Sequence, residues 1–155
     1  MLDAHSSAHP RLSLMLLADM CLMRVERGQR FVLCIDRSVK RDDVLIGKPS
    51  STGKSARELL QRLGERGQPD AETDGVWHQR GGVLVQAYAQ GDEPCGDTHR
   101  AALVKYACLG GPSRAPFIVL VREADACTVV IQVHVPSLCA RLKRPEAKAR
   151  VLECH

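Results

Sequence analysis

The sequence predicts an all-β fold: a small, disulfide-bonded domain with one short inserted helix. Three observations predict it. Between Tyr88 and Cys139, four of the seven cysteines (Cys95, Cys108, Cys127 and Cys139) alternate with three strand-like runs. Those runs, residues 100–108, 117–121 and 127–135, are dominated by β-branched residues that suit a pleated, half-buried surface. Turn formers separate them, most plainly Gly110-Gly111-Pro112.

At 155 residues the chain is long enough for one domain and too short for two ordinary ones. Its expected layout is an N-terminal leader or extension over 1–20, the β domain over 21–139, and a polar basic tail over 140–155. Aromatic residues make up only 3% of the chain, so the core must be built from Val, Leu, Ile and Ala. Such residues bury less area each than aromatics do. Disulfides would offset that, since a native bridge typically stabilises a small domain by about 2–5 kcal/mol.

Taken in order, residues 12–25 are ambiguous between helix and strand, with apolar side chains on every side. Residues 30–35 (RFVLCI) and 43–47 (DVLIG) are short strands. A loop over 48–55 leads into the one clear amphipathic helix, 55–65, where Ser55 and Glu58 form a capping box and Leu59, Leu60 and Leu63 share a side. Residues 67–75 are polar and read as disordered or mobile. A strand over 82–88 (GVLVQAY) enters the cysteine-rich half.

In the last run Cys127, Val129, Ile131, Val133 and Val135 form one face, which should meet the core, while Thr128, Val130, Gln132 and His134 form the other. In the first run Arg100 ends a row with Ala102, Val104, Tyr106 and Cys108. An arginine there either snorkels to the rim or lines a polar pocket.

The cysteine spacings contain no CxxC pair, which argues against a zinc ribbon or a thioredoxin-type site. Gaps of eleven or twelve residues (Cys21 to Cys34, Cys95 to Cys108, Cys127 to Cys139) instead join neighbouring strands or loops. Disulfides are the expectation, with metal ligation and shielded thiols as the alternatives. Six cysteines allow 15 pairings, and spacing alone does not choose among them.

Other functions fare worse. A net charge of +4 is too mild to demand an anionic partner. The basic cluster Arg141, Lys143, Arg144, Lys148 and Arg150 has no interleaved aromatics for base stacking, so no nucleic acid is expected. Val44-Leu45-Ile46-Gly47 followed by Gly53-Lys54-Ser55 imitates a phosphate-binding loop, but five residues separate the glycines where four are needed. No run reaches the ~18 apolar residues of a membrane span. Residues 12–23 imitate a signal peptide, but Asp19 interrupts them, so either the true start lies elsewhere or the chain is a fragment. With no asparagine, the chain carries no N-glycan.

The cysteine-rich half resembles the mannose-6-phosphate receptor homology (MRH) domain, a lectin module of the secretory pathway. The matching residues are Tyr88-Ala89-Gln90-Gly91-Asp92-Glu93-Pro94-Cys95, Arg100 eight residues before Cys108, Glu123 four before Cys127, and Pro136-Ser137-Leu138-Cys139. Cys21 and Cys34 match the pair that opens the family's domain. The resemblance implies a flattened barrel of two antiparallel sheets, with pairs Cys21–Cys34, Cys95–Cys127 and Cys108–Cys139 and Cys154 left over. It is slightly stronger to the lectins of ER-associated degradation, of the erlectin type, than to the glucosidase II β subunit.

The family grips mannose with a Gln, an Arg, a Glu and a Tyr, because forked planar groups engage vicinal hydroxyls two at a time. The resemblance therefore implies carbohydrate-binding positions at Arg100, Glu123, Lys40, Tyr88 and Val129. Lys40 stands where the Gln is expected and Val129 where the Tyr is, and valine offers no hydrogen bond. The expected function is a non-enzymatic, cofactor-free lectin-like domain of the endoplasmic reticulum lumen. It would recognise trimmed high-mannose N-glycans on misfolded glycoproteins and pass them to the degradation machinery. The alternatives are a non-lectin interaction module on the same scaffold and a subunit that targets the glucosidase II catalytic subunit.

Overall fold

The computed structural model describes residues 17–49, 58, 59, 61, 63, 71–73, 76–79, 82–110 and 114–139. The leader up to residue 16, most of the loop over 48–55 and the basic tail with Cys154 lie outside them. The strands are β1 (Cys21–Glu26), β2 (Gln29–Cys34), β3 (Ser38–Arg41), β4 (Val44–Pro49), β5 (Ala71–Thr73) and β6 (Val76–Gln79). There follow β7 (Val83–Gln90), β8 (Pro94–Cys95), β9 (Thr98–His99), β10 (Ala101–Ala107), β11 (Phe117–Asp125) and β12 (Thr128–His134).

Ten of these form one continuous sheet in the order β1-β2-β3-β4-β7-β10-β12-β11, with the β5–β6 hairpin attached to β7 and β8–β9 a separate ribbon. The sheet curls until β1 lies beside β11, which makes a nearly closed barrel. All pairings are antiparallel except β10 with β12, which runs parallel. The three disulfides join Cys21 to Cys34, Cys95 to Cys127 and Cys108 to Cys139.

Local chemistry sets the turns. Arg27 and Gly28, at φ 51° and 78°, give the two left-handed residues that a tight β1–β2 hairpin requires. Asp42 and Asp43, at 49° and 69°, do the same between β3 and β4. Aspartate tolerates that region because its short side chain bonds locally, and Asp42 Oδ1 accepts from Arg30 N at 2.9 Å.

β7 changes partners along its length. Its first half pairs with β6 and its last residues with β4. Where β4 crosses it, Gly47 and Gly91 are both buried against the neighbouring strand's backbone.

The barrel interior holds Phe31, Leu33, Ile35, Val39, Ile46, Leu84, Ala102, Val104, Val129, Ile131 and Val133. The face of β12 expected to meet the core does so. The opposite face of the central strands is covered as well: Val85, Ala87, Ala101, Leu103 and Val130 pack under Leu59, with Leu63 alongside. Residues 58, 59 and 61 are helical, and Leu63 N bonds Leu59 O at 3.0 Å, within the expected 55–65 helix.

Two expectations are corrected. Residues 71–73 are a strand, not a disordered stretch, because β6 gives their backbone a partner. The ambiguous segment resolves at its end into β1, whose apolar residues on both sides fit a strand paired on one edge.

A polar knot lies inside the barrel. Gln86 Oε1 accepts from Tyr88 Oη at 2.8 Å and Tyr106 Oη at 2.9 Å, the two hydroxyls are 2.9 Å apart, and Gln86 Nε2 donates to Asp36 Oδ1 at 2.8 Å. Burial of these groups is tolerated because they satisfy one another. Tyr106→Phe is expected to lower stability by about 1 kcal/mol, the usual net worth of one hydrogen bond when its acceptor keeps another donor. A urea midpoint equal to that of the parent would contradict it.

The seam between β1 and β11 is closed by side chains. Arg24 Nη1 donates to Ile118 O at 3.3 Å, and Glu26 accepts a hydrogen bond from the Val121 backbone. The Arg24 Nε hydrogen bond at 2.7 Å holds the Glu26 carboxyl below the usual carboxylate range. Glu26 therefore keeps its charge, and the seam its latch, until the pH falls through that lowered value.

Candidate functional site

The site lies at the end of the barrel where three segments meet: the end of β3, the ribbon β8–β9, and the turn from β11 to β12. The Cys95–Cys127 bridge fastens the ribbon to that turn. Gly96, at φ 61°, makes the ribbon's tight turn, and Cys127 N donates to Asp125 Oδ1 at 2.8 Å to shape the other. Glu93 and Arg100 flank the ribbon, held together by Arg100 N donating to Glu93 O at 3.0 Å.

Four charged side chains form a chain of ion pairs here. Arg100 Nε stands 3.0 Å from Glu93 Oε2, while Arg100 Nη1 donates to Ala126 O at 3.0 Å. The other oxygen of Glu93 takes a hydrogen bond from Arg41 Nη2. Arg41 Nη1 in turn faces Glu123 Oε1 at 3.7 Å, too long for a hydrogen bond. The Nε–H of Arg100 is not aimed at Glu93, so Arg100 Nε and Glu93 Oε2 are buried with no hydrogen bond made. Exposure differs within the cluster: the Arg41 side chain is 10% exposed, Arg100 21%, Glu93 25% and Glu123 55%.

Two acceptors and two guanidiniums within one cluster suit a ligand whose neighbouring groups both donate and accept. Vicinal hydroxyls are such groups. Beside Glu123 a cleft of about 610 Å³ opens along the barrel seam, lined by Glu26, Arg27, Gln29, Phe31, Leu120 and Arg122 among others.

Of the five positions expected from sequence, the structure brings Arg100 and Glu123 into this cluster. Tyr88 and Val129 are fully buried in the barrel core, Tyr88 with its hydroxyl in the Gln86 knot. They lie in one row with the site, since Glu123 pairs with Val129, Val129 with Ala102, and Ala102 with Tyr88. Lys40 is exposed and lines a separate hollow of about 420 Å³ with Arg37, Ser38, Asp43 and Asp92. Strand alternation sends its neighbour Arg41 inward instead.

Arg41 and Glu93 are the members that sequence reasoning missed. For Arg41 the signal was alternation, because Val39 is buried and Arg41 shares its face. For Glu93 it was position alone, two residues before a bridged cysteine.

No family model and no curated protein sequence matches the chain. Solved structures do. The chain is similar to the MRH domain of glucosidase II beta bound to mannose, at 24% identity and a TM-score of 0.52, over 81% of this chain and 98% of that one. It is also similar to the MRH domain of Yos9 complexed with α3,α6-Man5, at 18% identity and a TM-score of 0.54, over 82% and 81%. The chain thus has the fold of the MRH domains.

Proposed function

We propose that this chain, with its MRH fold, is a non-catalytic lectin-like domain of the endoplasmic reticulum lumen that recognises trimmed high-mannose N-glycans. Glycoproteins carrying them would be passed to the degradation machinery, as the slight resemblance to that branch of lectins suggests. The observation that carries the reading is the meeting of Arg100 and Glu123 in one ion-pair cluster at the barrel's end. The guanidinium donates to sugar hydroxyls and the carboxylate accepts from them. Three disulfides fit an oxidising compartment.

A hydrogen bond to a charged group is worth about 1.5–3 kcal/mol. Arg100→Ala and Glu123→Ala are therefore each expected to weaken binding of a mannose-terminated oligosaccharide by roughly 10- to 100-fold. Calorimetric titration and a glycan array measure this. Unchanged binding in both variants would remove the assignment.

A second reading has its own observation. Tyr88 and Val129 are sealed in the core and Lys40 lies elsewhere, which leaves fewer groups for a sugar. A non-lectin interaction module on the same scaffold would give a flat titration with the unaltered protein. Co-purification with a glucosidase catalytic subunit would instead mark a targeting subunit.

A further inference from the structure

We infer that Glu93 is the positioning residue of this site: it fixes Arg100 in an orientation that leaves one guanidinium edge free for a sugar. The inference rests on the lectin reading above. Glu93 and Arg100 flank the β8–β9 ribbon, and the bond from Arg100 N to Glu93 O at 3.0 Å holds their backbones together. Arg41 reaches the same carboxylate from β3, donating to Oε1 through Nη2.

A count of donors shows what remains for a ligand. A guanidinium carries five N–H donors and no acceptor. Arg100 sets Nε 3.0 Å from Glu93 Oε2 and gives an Nη1 donor to Ala126 O at 3.0 Å. Its Nη2 has no protein partner among the described residues. Glu93 itself offers a sugar little, since Oε1 is taken by Arg41 and Oε2 is buried against Arg100 Nε. It acts on the ligand through Arg100, while Glu123 is the carboxylate open to direct contact.

Charge explains why this position needs an acid. Arg41 and Arg100 approach opposite oxygens of one carboxylate, and both guanidiniums are largely buried. Two cations so placed repel, and burial weakens the screening that water would give. The Glu93 carboxylate offsets both. A neutral side chain in its place leaves Arg100 pushed by Arg41 and drawn by nothing on that side, so Nη2 loses its fixed direction.

The experiment is calorimetric titration of the oxidised full chain with α3,α6-Man5. Glu93→Gln keeps the shape and an acceptor oxygen and removes the charge. It is expected to bind roughly tenfold more weakly than the parent, about 1.4 kcal/mol. The double variant Arg41→Gln/Glu93→Gln gives a readout that a merely structural role would not move. With both charges gone the push on Arg100 is gone, and the introduced carboxamide oxygen is free to accept from Arg100 Nε. Coupling of this kind should restore affinity to within roughly threefold of the parent.

A second measurement needs no sugar. The Arg100 Nε–H, buried in the parent, should exchange slowly with solvent by side-chain NMR, faster in Glu93→Gln, and slowly again in the double variant.

A parent that binds while Glu93→Gln binds equally well overturns the positioning role and leaves the lectin reading standing. A double variant as weak as Glu93→Gln overturns it too, because Glu93 would then be acting on the sugar itself. Should Glu93→Gln fail to fold, the double variant is measured against the parent, and a loss of about tenfold there overturns the inference. Absence of binding by the parent overturns the lectin reading. Arg100 Nε–H exchange then decides the positioning role alone, and equal exchange in all three proteins overturns it.

Discussion

Gly91→Ala is expected to melt roughly 6–12 °C below the parent, the shift that about 3 kcal/mol produces in a chain of this length. A Cβ at this position would stand 2.2 Å from Ile46 O, 2.3 Å from Ile46 C and 2.4 Å from Leu45 O. All three are backbone atoms of β4, so no rotamer change relieves the clash. Overpacking typically costs about 1–3 kcal/mol, and more where nothing moves.

Gly96→Ala is the control. Its φ of 61° strains any L side chain, but nothing lies within 4 Å of the added carbon. A loss of about 1 kcal/mol is expected there. Equal melting of the two variants would contradict the close crossing of β4 and β7. Gly91 also sits two residues before Glu93, so the crossing that forbids a side chain is the one that aims the site's central carboxylate.

The double variant Cys95→Ser/Cys127→Ser is expected to lose both stability and sugar binding. This bridge spans a sequence separation of 32, for which chain entropy gives about 3–4 kcal/mol. Denaturant unfolding under non-reducing conditions measures that loss. The bridge also fastens the ribbon between Glu93 and Arg100 to the β11–β12 turn, so binding of a mannose-terminated oligosaccharide should weaken at least tenfold even where the variant is folded.

Cys21→Ser/Cys34→Ser is the contrast. Its separation of 13 gives about 3 kcal/mol, and it joins the end of the six-residue β1–β2 ladder opposite Glu26 and Gln29, the end that lines the cleft. Sugar binding should survive it. Equal loss of binding in both double variants would separate the site from the Cys95–Cys127 bridge.

Much of this fold was legible because its strands carry their signal locally. The runs over 30–35, 43–47, 82–88, 100–108, 117–121 and 127–135 became β2, β4, β7, β10, β11 and β12, since β-branched residues bounded by turns state a strand without help from neighbours. β3 was not legible. SVKR is four residues long, half of them charged, and it is a strand because β2 and β4 lie on either side of it. β5 was hidden for the same reason.

The double burial of β10 and β12 was also invisible in their own patterns. It depends on Leu59 covering the outer face from far along the chain. Within the site, Arg100 and Glu123 were reachable because both lie at fixed distances from bridged cysteines. Arg41 was not, because the count forward from Cys34 ends on Lys40, whose side chain is turned outward by alternation while Arg41 turns in.

The closure of the barrel between β1 and β11 has a consequence for how the molecule behaves among its own copies. On β11, a guanidinium occupies Ile118 O and a carboxylate holds the amide of Val121. A foreign strand adding itself there must evict two charged groups and then follow an edge whose spacing breaks twice, between Ile118 and Leu120 and between Glu123 and Asp125. The border that a curled sheet leaves open is guarded in this way against fibril growth, at the point where a barrel of this kind is most exposed to it.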